Sequence, residues 1–186
     1  MSHFLYQKSM PAPFGKVHMT ATDDALVYVC FDLEESMRRA DRYLSKYYGE
    51  CERVQKGNDV LQRAEEALRA YFAGQLRVFD LPIEFKGTAY QHAVWTKMAT
   101  IPYGEVVRYQ TLTESASAGS PKGTRSVGAA CGANPLSIVV PCHRVLGTNR
   151  SLTGFGGGLE TKKWLLELEG LAIENSRFQG EFSELN

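Results

Sequence analysis

The sequence lacks the features of a membrane, secreted or disulfide-stapled protein. None of its 186 residues belongs to an apolar run approaching the roughly eighteen residues that a membrane-spanning helix needs. Residues 1–8 carry no basic region followed by a long apolar stretch, which excludes a visible secretory signal. Cysteine is scarce, with four residues and no C-x-x-C pair, so neither a disulfide framework nor a zinc site is supported. We therefore expect a cytoplasmic protein without a membrane segment or a metal.

The chain also lacks an excess of charge of either sign, because 21 basic residues balance 21 acidic ones. This balance disfavours a strongly basic nucleic-acid binder, but the distribution is uneven. Between positions 87 and 170, eight lysines and arginines stand against five acids, a net charge of +3, and the remainder carries −3. Such a half could neutralise a few phosphates. Splits of this size also arise by chance, so charge alone does not decide the partner.

The first part of the chain has signals for a sheet with helices. The overall composition, 44% hydrophobic and 23% charged, is that of a globular protein long enough for one sizeable domain or two small ones. Residues 13–31 predict a β-hairpin that turns near Thr22, and residues 34–48 predict a helix. A stronger helix is predicted from an N-cap at Asn58 to Gly74.

The second part predicts several short helices. The first spans about 88–100 and stops at Ile101-Pro-Tyr-Gly104, and a short extended piece follows at 105–109. Two further helices are predicted near 110–116 and 122–132, joined by a loop, 117–121, that contains glycine and proline. This pattern is typical of a helix-turn-helix, and equally of any small αα-hairpin.

The second of these helices has almost no bulky side chains. Helical spacing places Arg125 in line with Gly128 and Gly132, so one face presents a single long cation on a bare surface. Glycine costs about 1 kcal/mol relative to alanine inside a helix, so this composition needs a compensating contact. Close approach to a flat partner such as a DNA groove would supply it, and so would tight packing on another helix.

The densest chemical signal is a cysteine followed by a histidine. Residues 137–140 predict a short buried strand that ends at Pro141, and Cys142 and His143 come next. A thiol attacks as the thiolate, and a nearby imidazole is the usual means of forming one near neutral pH. Adjacent side chains usually point apart, so a buried structural cysteine beside a hydrogen-bonded histidine remains an alternative.

A carboxylate in the last predicted helix, 159–170, is a candidate third member. Glu169 shares a helical face with Leu159 and Leu166, which predicts that it lies against the protein and needs a partner there. An imidazole N–H is a suitable partner. The resulting relay of nucleophile, base and orienting group consists of Cys142, His143 and Glu169. The alternatives are a solvated carboxylate or an ion pair with Lys162 or Lys163.

Several segments together resemble one protein family. Pro141-Cys-His-Arg-Val145 resembles the active-site signature of the O6-alkylguanine-DNA alkyltransferases, also called methylated-DNA–protein-cysteine methyltransferases. Other segments resemble that family in the same order: Ile101-Pro-Tyr-Gly-Glu-Val, Tyr109-Gln, Arg125-Ser-Val-Gly, Asn134-Pro, Gly154-Phe-Gly-Gly-Gly-Leu and Trp164-Leu-Leu-Glu-Leu-Glu-Gly. The resemblance covers about residues 82–170, and the N-terminal hairpin resembles the family more loosely.

The resemblance implies an α/β fold in two domains. A small N-terminal antiparallel sheet domain, ribonuclease-H-like, is expected over residues 1–81. A winged-helix-like helical domain with the helix-turn-helix, expected over 82–172, would bind DNA and carry the alkyl-transfer site. Residues 173–186 are expected to form a C-terminal tail.

The resemblance also implies direct DNA repair. An alkyl group, such as methyl, would move from O6 of guanine in duplex DNA to Cys142 after the base flips out of the stack. O4 of thymine is a second candidate substrate. The product is a thioether, which water does not hydrolyse, so each molecule would act once, as a monomer and without a cofactor.

Catalytic roles follow from the same resemblance. Cys142 matches the alkyl acceptor, and His143 matches the base that relays its proton through a water molecule. Glu169 matches the carboxylate that orients the histidine. Tyr109 matches the tyrosine that donates a proton to guanine N3.

Binding roles are implied in the same way. Arg125 matches an arginine finger inserted into the duplex, and its helix is expected to make the remaining DNA contacts through Lys122, Ser126 and Gly128. The residues expected to contact the substrate or shape its pocket are Asn134 as a hinge, Val145 through its carbonyl, Gly156 through its N–H, and Ser137. Phe155 and Gly156 stand where many members have tyrosine and serine or another small residue, which predicts a roomier pocket-covering loop.

Two other classes of function share some of these sequence features. A non-catalytic binder of alkylated DNA would lack the acceptor cysteine, and Cys142 is present. A hydrolase that uses a Cys-His-Glu relay would turn over and would need no helix-turn-helix. The family-like order of Tyr109, Arg125 and Asn134 argues against a hydrolase.

Overall fold

The computed structural model describes residues 4–116 and 123–185, and the chain divides into two compact units. The first unit contains the chain up to Lys86 together with residues 135–137, and the second contains residues 87–134 and 138 onward. The predicted α/β class, with a sheet-bearing N-terminal part and a helical C-terminal part, is confirmed. Within the described ranges, no helix is long and apolar enough to cross a membrane.

The first unit is built on a four-stranded sheet. Its strands are β1 (Phe4–Ala12), β2 (Gly15–Ala21), β3 (Leu26–Phe31) and β4 (Glu52–Val54), in the order β3-β2-β1-β4. Strands β1, β2 and β3 pair antiparallel, so the predicted hairpin corresponds to β2 and β3. Strand β4 pairs parallel to β1, because an intervening helix carries the chain across before it re-enters the sheet. The sheet is therefore mixed, where a purely antiparallel one was expected.

Two helices cover this sheet, and both were predicted. Helix α1 is Glu34–Tyr48 and helix α2 is Asp59–Phe72. The Asn58 side chain accepts a hydrogen bond from the Leu61 N–H, which is the N-cap that the sequence indicated. One cluster of buried side chains joins the sheet to α1 and contains Leu5, Val27, Tyr28, Cys30, Ala40, Leu44 and Tyr48.

The second unit is mainly helical. Its helices are α3 (Ala89–Met98), α4 (Tyr109–Ala116), α5 (Thr124–Gly132) and α6 (Leu159–Leu168). Thr88 and Gln91 form a capping box that starts α3. The indole N–H of Trp95 on α3 donates to the Ala130 carbonyl of α5 at 2.8 Å. Helices α4 and α5 occupy the positions predicted for the helix-turn-helix, and the loop 117–121 between them lies outside the described residues.

Two short strand pairs complete this unit. Strands β5 (Val107–Arg108) and β6 (Val145–Leu146) pair parallel, and β7 (Ile173–Glu174) and β8 (Arg177–Phe178) form an antiparallel hairpin. Ile173 and Phe178 are buried in a cluster with residues of the preceding chain, namely Val106, Leu146, Leu152 and Leu166. The segment expected as a tail therefore contributes to the core of the second unit.

The prediction of a strand at residues 137–140 is wrong. This segment contains isolated bridges and a turn, and Ile138 has a φ of 75°, in the left-handed region that β-branched residues rarely adopt. The Asn134 side-chain amide donates to the Val140 carbonyl at 2.8 Å and closes the loop. A run of buried apolar residues is compatible with a strand or with a buried turn, and here burial and the Asn134 hydrogen bond hold the turn.

Candidate active site

Cys142 lies at the start of a short 3₁₀ turn, Cys142–Arg144, that leads into β6. Its N–H donates to the Val140 carbonyl at 2.9 Å, and its side chain is almost fully buried, with the residue 9% exposed. Burial raises the pKa of the Cys142 thiol, while a hydrogen bond with Asn134 and the positive charge of Lys162 act to lower it. An attacking thiolate at this position therefore needs a base and stabilising charge nearby.

His143 and Glu169 form a buried pair beside this cysteine. Nε2 of His143 lies 2.9 Å from Oε1 of Glu169, and the two residues are 0% and 5% exposed. Glu169 directly follows the last turn of α6, so the end of that helix delivers the carboxylate to the turn that carries Cys142 and His143. The structure thus brings together two of the three residues of the predicted relay at hydrogen-bond distance, with the cysteine adjacent in sequence.

Arg144 also holds the carboxylate of Glu169. Its Nε donates to Oε2 at 2.9 Å, its Nη2 donates to Oε1 at 2.9 Å, and its Nη1 donates to the Ile101 carbonyl at 2.6 Å. The Gly104 N–H adds a further hydrogen bond to Oε2 at 3.1 Å. The sequence analysis assigned no role to Arg144. Its position directly after His143 is the one sequence feature that could have indicated a role in the site. The two alternatives for Glu169, a solvated carboxylate or an ion pair with Lys162 or Lys163, are therefore wrong.

These contacts set the charges of the pair. Burial alone would raise the pKa of Glu169, but hydrogen bonds from His143 and the permanently charged Arg144 outweigh burial and hold that pKa below its usual range. Burial lowers the pKa of His143 below its ordinary value, even though Glu169 acts in the opposite direction. The imidazole is therefore neutral near neutral pH and can accept a proton.

A cavity of about 410 Å³ brings together the predicted catalytic residue Tyr109 and the predicted DNA-binding residues Arg125 and Gly128. Its lining consists of Tyr109, Gln110, Thr124, Arg125, Gly128, Gly147 and Thr148. Burial raises the pKa of Tyr109 to about 12, so the phenol keeps its proton at physiological pH and can donate it. Within the described part of the chain, Cys142 is not among the lining residues.

The outward face of α5 is bare, as the composition predicted. Arg125 is exposed, whereas Val127 and Cys131 face the interior. A Cβ built on Gly128 or Gly132 would meet no heavy atom of the described residues within 4 Å. Tight packing on another helix among the described residues therefore does not explain these glycines, and close approach of an external partner is the other explanation that the sequence offered.

The other predicted site residues lie at different depths. Asn134 is buried and closes the loop before Cys142, and the buried carbonyl of Val145 already accepts a hydrogen bond from Lys162 at 2.9 Å. Gly156 is exposed, and a side chain there would meet open space among the described residues. Ser126 is half-buried on α5, and Ser137 is buried in the segment 135–137 that belongs to the first unit. Lys122 lies outside the described residues.

Among residues 4–116 and 123–185, no three histidine, cysteine or acidic side chains come together in a way that could hold a metal ion. The chemistry available at Cys142 is that of a buried thiol with a neutral histidine and an oriented carboxylate.

Comparisons with known proteins agree with this geometry. Residues 89–171 match the family model of the 6-O-methylguanine DNA methyltransferase DNA binding domain, and residues 5–85 match that of the ribonuclease-like domain of the same methyltransferase. The methylated-DNA–protein-cysteine methyltransferase of Shigella flexneri is 39% identical over 172 residues, which cover 91% of this chain and 98% of the relative. The corresponding protein of Haemophilus influenzae is 36% identical over 168 residues, which cover 89% and 86%.

A solved structure, that of Mycobacterium tuberculosis OGT in complex with DNA, is similar over 88% of this chain and 92% of that one. The TM-score is 0.73 at 35% sequence identity. The buried thiol, its histidine and carboxylate, and the bare helix define a DNA-repair protein that transfers alkyl groups. The chain belongs to the 6-O-methylguanine DNA methyltransferase family, and its activity is that of a methylated-DNA–protein-cysteine methyltransferase.

Proposed function

We propose that Cys142 accepts an alkyl group from O6 of guanine in duplex DNA, once per protein molecule. The observation that carries this proposal is the hydrogen bond of 2.9 Å between His143 and Glu169 directly beside a buried cysteine. A neutral, oriented imidazole next to a thiol is the arrangement that activates a sulfur nucleophile. Cys142 is the cysteine so placed, since Cys30, Cys51 and Cys131 have no histidine next to them in the sequence.

The transfer step follows from these groups. Glu169 engages Nε2 of His143, so the proton of the Cys142 thiol would pass through a water molecule to Nδ1. The sulfur attacks the alkyl carbon, the new S–C bond forms, and the bond between that carbon and guanine O6 breaks. Tyr109 is protonated before the reaction and donates its proton to the departing base. The proton that His143 took from the thiol then returns to Tyr109, so the phenol is neutral again after the transfer. A thioether cannot be hydrolysed back to the thiol, so the protein is consumed.

Base flipping is supported by the bare face of α5, and the cavity beside that face includes Tyr109, the proposed proton donor, in its lining. The volume of about 410 Å³ falls in the range of roughly 300–1,000 Å³ that is usual for ligand pockets. Arg125 lines this cavity and stands on a helix face that has no bulk at Gly128. A single long cation on a bare face fits a wedge that enters the minor groove and fills the place of an extruded base.

The finer features of the function belong to the same proposal. We expect O6-alkylguanine to be the preferred lesion, and O4-alkylthymine to be a second substrate because its alkyl carbon is also bound to an exocyclic oxygen. We expect the protein to act as a monomer in the cytoplasm. We also expect Lys122, Ser126 and Gly128 to contact DNA, and Asn134, Ser137, Val145 and Gly156 to shape the pocket.

The test is intact-protein mass spectrometry after incubation with a duplex that contains one O6-methylguanine. A gain of one methylene, mapped to Cys142 and saturating at one per chain, is the expected result. A Cys51→Ala variant should gain the same mass, because Cys51 lies in the first unit. If the duplex is bound and no mass is gained, the protein is a lesion binder and not a transferase.

A further inference from the structure

Residues 173–185 take no part in the transfer step, although they pack closely on the second unit. This C-terminal segment consists of the hairpin β7–β8 and the stretch 179–185, which is neither helix nor strand. Phe178 is 4% exposed, and the Phe182 ring packs edge-on against it at a centroid distance of 5.9 Å. Both rings contact the buried cluster of this unit. Apolar packing explains why the segment is folded, and its remaining contacts indicate what else it does.

The stretch 179–185 holds the strand that leads into Tyr109. The Ser183 N–H donates to the Val106 carbonyl at 2.8 Å, directly before β5. Cζ of Arg108 lies 4.3 Å from the centroid of the Phe182 ring, a distance typical of a cation–π contact. Tyr109 is the next residue and begins α4. The C-terminal segment therefore fixes the backbone on the N-terminal side of the proposed proton donor.

The hairpin β7–β8 holds the loop that contacts the phenol of the same tyrosine. The Leu152 N–H donates to the Ser176 carbonyl at 2.9 Å, and the Phe178 N–H donates back to this loop at the same distance. Thr153 directly follows Leu152, and its side chain hydrogen-bonds Tyr109. The C-terminal segment therefore also holds the residue that orients the phenol.

Both anchors act on one side chain, and its position matters for the chemistry. A general acid must lie within hydrogen-bond reach of the atom that it protonates, and a displacement of about 1 Å can cost on the order of a hundredfold in rate. Tyr109 is fixed at its backbone through Arg108 and at its hydroxyl through Thr153. Since the strand and the loop are distant in sequence, one segment that contacts both can keep their relative position constant.

We propose that the C-terminal segment is a positioning element for Tyr109, with Phe182 and Ser183 holding the strand before it and the hairpin holding Thr153. This inference rests on the proposed function, in which Tyr109 donates its proton to the departing base. The segment contributes no group to the reaction and acts through the placement of the phenol. It therefore matters when the leaving group needs a proton, and it does not matter for attack by the sulfur itself.

The experiment compares two reactions of Cys142 in the same variants. One is single-turnover transfer from a duplex with one O6-methylguanine, and the other is alkylation by iodoacetamide, whose iodide leaves without a proton. Phe182→Leu keeps an apolar side chain but removes the ring over Arg108, and Thr153→Val removes the hydroxyl that meets Tyr109. We expect each to lower the transfer rate at saturating duplex roughly five- to tenfold, with half-saturation and the iodoacetamide rate nearly unchanged.

A double substitution tests whether the effect passes through the phenol. Tyr109→Phe removes the proton donor, so adding Phe182→Leu should slow transfer by less than about twofold further, because coupled residues are not additive. Phe182→Tyr keeps the ring and should keep the rate, as should Glu181→Ala, which changes an exposed side chain of the same segment.

Two results would overturn the proposal. One is a Phe182→Leu effect of the same size with and without Tyr109, and the other is equal slowing of transfer and of iodoacetamide alkylation. Because both reactions are measured on the same sample, a loss of folded protein lowers both rates and leaves their ratio unchanged. The proposed function fails separately, if the unsubstituted protein gains no methyl group at Cys142 from this duplex.

Discussion

The two units of this protein differ in where their charged side chains lie. In the first unit the ion pairs lie at the surface, and they include Arg38–Glu34, Arg39–Glu35 and Arg53–Asp41. The second unit encloses a set of charged or titratable side chains that are at most 5% exposed, namely His143, Arg144, Lys162 and Glu169. Exposed pairs contribute little to stability and cost little, whereas buried charges carry a large desolvation cost. The second unit carries this desolvation cost at the site proposed for alkyl transfer.

The largest expected effect comes from removing the sulfur nucleophile. Cys142→Ala should abolish transfer completely, because nothing else in the relay can form the S–C bond, and the protein should still bind alkylated duplex. Gel-shift and mass measurements on the same sample check both statements. Cys51→Ala in the first unit is the control and should transfer normally. Loss of binding in Cys142→Ala would show that the cysteine has a structural role.

Glu169→Gln tests the buried charge cluster directly. The variant should slow transfer on the order of a hundredfold, since an orienting group of a general base is lost. It should also lower the free energy of unfolding by about 3 kcal/mol, because Arg144 loses its buried counter-charge, without unfolding the protein. Single-turnover kinetics and chemical denaturation measure the two effects. An unchanged rate would remove the carboxylate from the relay.

The same cluster predicts an acid-sensitive second unit. The pKa of Glu169 is depressed in the folded protein, so its contribution is present above the unfolded pKa, roughly 4.3, and is lost as the pH falls below it. The pKa of His143 is depressed as well, so below about pH 6.5 the unfolded chain binds more protons and stability falls further. Unfolding midpoints between pH 7 and pH 3 should therefore decline, and Glu169→Gln should flatten the lower part of that decline.

Arg125→Ala should affect DNA and not the chemistry. Duplex repair should fall roughly tenfold, since a wedge residue offsets an unstacking cost of a few kcal/mol. Reaction with free O6-benzylguanine should be nearly unchanged, because no base pair is opened there. Lys163→Ala in the same unit serves as the charge-matched control. Equal losses on both substrates would rule out the wedge.

The smallest effect is expected at the surface of the first unit. Arg38→Ala breaks an exposed pair with Glu34 on α1 and should change the free energy of unfolding by less than about 0.5 kcal/mol. Transfer should be unaffected. A loss comparable to that of Glu169→Gln, measured by the same denaturation assay, would contradict the contrast between the two units.

Elements with strong local signals could be predicted from the sequence. Helix α2 begins after the Asn58 cap and helix α1 spans the expected residues, because capping and apolar periodicity act locally. The turn at Ile138 could not be predicted, since a left-handed backbone at a β-branched residue depends on tertiary contacts such as the Asn134 hydrogen bond. Strand β1 was also missed, because its pairing with β2 and β4 is set by the sheet.

The candidate site was predictable only in part. Burial of Glu169 was expected, but the helical face used to infer it is imperfect, because Leu159 is 42% exposed. Arg144 contacts Glu169, and Lys162 contacts the carbonyls of Val145 and Thr153. These contacts join segments that are distant in sequence, so no local sequence pattern predicts them. The spacing of residues along the sequence indicates which side chains can react. The tertiary packing of the chain decides which charged groups surround those side chains.

The unequal burial of the cysteines has a practical consequence for thiol labelling. Cys30, Cys131 and Cys142 are buried, whereas Cys51 is partly exposed. A general reagent such as a maleimide should therefore label Cys51 first, although Cys142 is the proposed alkyl acceptor. A bulk thiol titration would then report an inactive sulfur as the fast one. An activity-based tag should instead carry a guanine leaving group, which addresses the sequestered Cys142 and ignores the accessible thiol.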